Sequence, residues 1–105
     1  MDMADAKVIY CVTQDWYLHS RVTDEPAPRY AETVAECEDL LSSTIEEYAR
    51  SMTGYRLSFG DSGCDPNEVM AESRNWAKSH VHVTACLGVR IGTHWCIVGR
   101  LGDAI

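Results

Sequence analysis

Apolar and polar residues alternate without a break from His80 to Ile91: Val81, Val83, Ala85, Leu87, Val89 and Ile91 on one parity, His80, His82, Thr84, Cys86, Gly88 and Arg90 on the other. Successive side chains on a strand point to opposite faces, so this run predicts a strand with one face in a core and one face free. Gly92-Thr93 turns it into a second alternating run, His94 to Leu101. Near the start, Lys7 to Thr13 is β-branched and aromatic, and Trp16 to Val22 alternates after a turn at Gln14-Asp15, which predicts a first hairpin.

Between the hairpins the period changes. Tyr30, Val34, Cys37, Leu41, Ile45, Tyr48 and Met52 recur at spacings of three and four, predicting a long helix that Gly54 stops. Tyr55, Leu57 and Phe59 then alternate with Arg56 and Ser58, as in a short strand. After the loop Gly60 to Cys64, Asp65-Pro66-Asn67-Glu68 announces a second helix to about Lys78, with Asp65 as cap and Pro66 in the first position. Its inward residues are expected to be Val69, Met70, Trp76 and Ala77.

The expected order is β-β-α-β-α-β-β: a single α+β domain over residues 1–105, with a mainly antiparallel sheet of four or five strands and two helices packed on one face. The other sheet face, carrying His82, Cys86, Val98 and parts of the strands that hold Tyr10 and Trp16, is then left to be covered by a second copy or a ligand. A homodimer is the simplest closed solution.

Register in the last hairpin decides which groups meet. A three-residue loop places Arg90 opposite His94 and sends Trp95 and Ile97 into the core with Leu87 and Val89; a two-residue turn inverts the parity and sends His94 and Cys96 inward. The three-residue loop leaves fewer polar groups to satisfy in the interior, so it is the expected one. It collects His82, Cys86, His94 and Cys96 on one face, the sharpest candidate metal site in the chain, since imidazole and thiolate are zinc ligands. The paired Cys-x-x-Cys spacing of structural zinc sites is missing. Cys64 is a candidate nucleophile just before a helix, with His80, His82, His94 or His19 to serve as base, although a plain loop cysteine is the simpler account.

The net charge of −7 belongs to the first half: residues 1–54 hold eleven acids against Lys7, Arg21, Arg29 and Arg50, and residues 55–105 hold five of each sign. No basic cluster is present to displace counterions from phosphates, so direct nucleic-acid binding is not expected. The acids of the long helix, Glu36, Glu38, Asp39, Glu46 and Glu47, read as a solvated face, or more sharply as a phosphate-like decoy for a nucleic-acid-binding partner. Five cysteines form an odd set inside apolar patterns, as reduced thiols do. The acidic start and the lack of an apolar span lead us to expect a cytoplasmic protein with no membrane association.

Local matches assign no chemistry. Gly60-Asp61-Ser62-Gly63 resembles the nucleophile loop of trypsin-like serine proteases, but Cys64 replaces the following glycine and the chain is too short for two barrels. Asp61, Asp65, Asn67 and Glu72 resemble part of an EF-hand loop with Pro66 in its glycine position. Lys7 to Arg21 resembles the first strand and turn of some two-domain glycosyltransferases, with no second half to complete them. No glycine loop for phosphate is present, and no cofactor is expected. The leading expectation is therefore a non-catalytic, self-associating binding or protein-interaction domain. Its rivals are a small enzyme or metal protein using Cys64 or the histidine and cysteine face, and the acidic decoy.

Overall fold

The structure, a computed structural model, describes residues 5–15 and 27–103. Four strands form one antiparallel sheet: β1 (Lys7–Gln14), β2 (Arg29–Ala31), β3 (Val81–Ile91) and β4 (His94–Asp103), in the order β2-β1-β3-β4. Between β2 and β3 the chain forms α1 (Val34–Ser58) and α2 (Pro66–Lys78). This is the expected α+β class with two helices, in the order β-β-α-α-β-β. The strand expected over Trp16 to Val22 lies outside the described residues.

Three local readings are corrected. Tyr30 belongs to β2, where it pairs with Cys11, and not to the helix. The helix begins where Thr33 caps it: the Thr33 hydroxyl accepts from the Glu36 backbone N–H at 3.1 Å, and the Glu36 carboxylate turns back to accept from the Glu32 N–H. Residues 55–59 are the end of α1 and its cap, not a strand. Tyr55 and Phe59 are four apart, so they fall on one helical face, where their rings meet at 4.8 Å; the same spacing also satisfies a period of two. Gly54 does not stop the helix, which closes instead at Phe59, with the Arg56 carbonyl accepting from the N–H groups of Phe59 and Asp61.

α2 is built as expected. The Asp65 carboxylate accepts from the Asn67 N–H at 3.0 Å, Pro66 occupies the first turn, and Val69 and Ala77 are buried. α1 rests on β1, β2 and β3, while α2 packs chiefly against α1. The core under the helices joins Val12 and Ala31 to Val81 and Val83 of β3, Cys37, Tyr48 and Ala49 of α1, and Ala77 of α2. Trp76 of α2 stacks on Tyr48 at 5.0 Å, and the Tyr48 hydroxyl donates to the Asp15 carbonyl, tying both helices to the end of β1. Tyr10 of β1 packs against this core.

Ser73 lies on α2, fully buried, with no hydrogen-bond partner for its hydroxyl among the described residues. An unsatisfied buried hydroxyl costs about 1–3 kcal/mol, so Ser73→Ala, which removes it at nearly constant volume, should stabilise the fold by about 1 kcal/mol. Urea unfolding followed by circular dichroism reads this as a higher midpoint at unchanged slope; a lower midpoint would show that the hydroxyl is satisfied.

Candidate functional site

The face of the sheet away from the helices carries the candidate chemistry, and the last hairpin decides its content. Gly92, at φ 62°, supplies a left-handed turn residue, so two residues are enough to reverse the chain: Ile91 pairs with His94 and Arg90 with Trp95. The expected three-residue loop is thus corrected, and with it the grouping of His82, Cys86, His94 and Cys96. Cys96 pairs with Val89, whose parity along β3 is opposite to that of Cys86, so His82 and Cys86 lie on the free face while His94 and Cys96 lie on the other. The interior penalty that argued against this register does not arise, because the helix-covered core takes Val81 and Val83 from β3 and His94 remains exposed beyond it. Among the described residues, no three His, Cys, Asp or Glu side chains are placed to hold a metal ion.

Trp95 moves to the free face with this register. There it covers Ile9, which is fully buried although no helix lies over it, and the two form a small second core with Cys11, Cys86 and Tyr30. Gly88 makes the close approach possible: a Cβ at this position would lie 2.7 Å from Ile9 Cδ1 and 3.2 Å from Trp95 Cε3. Lys7 and Arg90 stand over the indole at 5.3 and 5.8 Å, and both ion-pair with Glu32, which holds the Glu32 carboxyl below the usual range, chiefly through the Lys7 hydrogen bond.

Beyond this cluster the free face opens into a shallow depression of about 460 Å³, lined by Cys11, Thr13, His82, Val83, Thr84, Cys86 and Arg100. β1 and β3 set Thr13 opposite His82, Cys11 opposite Thr84, and Ile9 opposite Cys86. Arg100 reaches the face because β4 carries two extra residues, Val98 and Leu101, relative to β3; these bulges re-aim the strand so that Arg100 pairs with Cys86. His82 Nε2 and Asp15 Oδ2 are 3.0 Å apart at the rim. Burial, and then the nearby Cys86, push the Cys11 thiol above its ordinary value; the same surroundings raise Tyr30. Cys11 is therefore a protonated, apolar floor group at neutral pH and a poor nucleophile. His82 and Cys86 were legible as free-face residues; Asp15, Arg100, Thr13 and Cys11 were not, since only the strand register brings them together.

The other candidates stay apart. Cys64 is exposed in the loop before α2. The histidines offered as its base are engaged or distant in the fold: His80 bonds the Trp76 carbonyl and stacks on its ring at 4.3 Å, His82 bonds Asp15, and His94 stands at the far hairpin. His19 lies outside the described residues. Of the helix acids, Glu46 forms a two-pronged pair with Arg74 and Glu47 pairs with Arg29, so part of the acidic face is met within the chain. No helix of the described residues is long and apolar enough to cross a membrane. The chain matches no protein-family model, no curated protein and no solved structure.

Proposed function

We propose that this chain is a small non-catalytic interaction domain that self-associates as a homodimer through the end of the sheet that α1 and α2 leave uncovered. The observation that carries this reading is a concentration of exposed apolar side chains on that end: Val8 of β1, Ile91 of β3, and Ile97 and Leu101 of β4 are 45, 54, 39 and 55 % exposed. β4 is also an edge strand of ten residues that leans on β3 alone in the sheet, a surface that isolated proteins normally cover. Sedimentation velocity over a hundredfold concentration range tests it. A shift from monomer to dimer mass in the micromolar range is expected; a monomer throughout would overturn the reading.

The depression favours a second reading, a small-ligand or enzymatic site that uses Arg100, His82 and the Thr13 and Thr84 hydroxyls around a thiol floor. Stoichiometric zinc in the purified protein, or a Cys64 that reacts much faster than a free thiol at neutral pH, would move the function to the metal or enzyme class.

A further inference from the structure

Charge in this chain is segregated more sharply than its two halves indicate. From Ser73 to Gly102 there is no Asp or Glu, while Arg74, Lys78, Arg90 and Arg100 are present, so this stretch carries +4 and the remainder −11 of the total −7. The tip of the β3–β4 ribbon lies inside the acid-free stretch and presents Arg90, exposed Ile91 and His94 around the Gly92-Thr93 turn.

A groove of complementary character lies at the same end of the molecule. It is a shallow, open groove of about 490 Å³ lined by Tyr30, Ala31 and Leu40 together with Glu36, Asp39 and Ser43. The two features are close because Glu32, at the end of β2, reaches both Lys7 and Arg90, while its backbone N–H is bonded by Glu36 in the first turn of α1. Groove and tip on one end are what a two-fold contact needs, since each copy then gives its tip and receives the other's.

We propose that two copies of this chain dimerise by reciprocal insertion, the Arg90–His94 tip of each seating in the Tyr30–Leu40 groove of the other, with Ile91 on the apolar lining and Arg90 against Glu36 and Asp39. This rests on the self-association proposed above; of the exposed apolar residues named there it uses Ile91, and it adds the groove between β2 and α1 as the receiving surface. The occupant is a second copy because the chain itself supplies both halves of a charge-complementary fit. The contact is partly electrostatic, so it weakens as salt rises.

Asp39→Lys and Arg90→Glu each place like charges across both contacts of a symmetric dimer and should weaken it about tenfold or more in sedimentation equilibrium at low salt. An equimolar mixture of the two variants should recover a dimer, since the wild-type tip of one then meets the wild-type groove of the other, and the reversed tip meets the reversed groove. Ile91→Asp, at the exposed end of β3, should weaken association with the melting temperature unchanged. Single variants that dimerise as tightly as the wild type, or a mixture that stays monomeric, would overturn the tip-in-groove contact while leaving self-association in place. A wild type that is monomeric at every concentration would overturn both.

Discussion

Gly88→Val should lower stability by about 3 kcal/mol, and Gly88→Ala by about 1 kcal/mol. The Cβ of either residue falls 2.7 Å from Ile9 Cδ1 and 3.2 Å from Trp95 Cε3. Ile9 is fully buried, so its methyl has nowhere to swing without lifting the indole. A strand glycine replaced by alanine ordinarily gains roughly 0.5–1 kcal/mol in backbone entropy, which offsets part of the clash for alanine but not the added bulk of valine. In a domain of this size about 3 kcal/mol corresponds to a melting temperature roughly 12–20 °C lower. Trp95 emission should shift to the red as the ring lifts into water. A Gly88→Val protein with unchanged melting temperature would mean that Trp95 does not lie on Gly88.

Tyr48→Ala should cost about 3–5 kcal/mol, the range for deleting a buried aromatic side chain, and a large part of the stability of a domain of this kind. Tyr48 is buried, stacks on Trp76 at 5.0 Å and donates to the Asp15 carbonyl, so its loss loosens α1, α2 and the end of β1 at once. Tyr48→Phe keeps the stack and loses only the hydroxyl, at about 1 kcal/mol. The milder variant also reports on the free face: Asp15 holds His82 at 3.0 Å, and releasing its carbonyl should change the His82 ring resonances in an NMR spectrum. Unfolding midpoints for Tyr48→Ala and Tyr48→Phe that coincide would show that the ring is not packed as described.

These two sites also mark how far the sequence could be read. Where one period is unambiguous and a cap agrees with it, pattern and structure coincide: β3 spans the alternating run from Val81 to Ile91, and α2 starts at Pro66 behind Asp65. Residues 55–59 mislead because an apolar residue at every second position also repeats at every fourth, and the contact of the Tyr55 and Phe59 rings at 4.8 Å settles the choice for helix. β2 was missed because three residues are too few to show a period; the signal that was available is Thr33-x-x-Glu36, a capping box that starts the helix after Tyr30.

The hairpin register turned on a different quantity. An interior cost for His94 and Cys96 requires helices over the whole ribbon, whereas helix packing on β3 is concentrated at Val81 and Val83. Once the ribbon runs past its cover, a glycine at φ 62° is enough to select the two-residue turn. Trp95 then packs on Gly88, a contact for which a glycine in an alternating strand was the one sign in the chain.

The register of that ribbon underlies everything said of the free face, and the ring current of Trp95 reads it directly. In a methyl-resolved NMR spectrum the Ile9 δ1 methyl should be displaced strongly upfield and show a nuclear Overhauser contact to the indole Hε3 of Trp95. An Ile9 methyl at its ordinary shift, with Trp95 instead in contact with Leu87 and Val89, would place the indole on the opposite face and contradict the account.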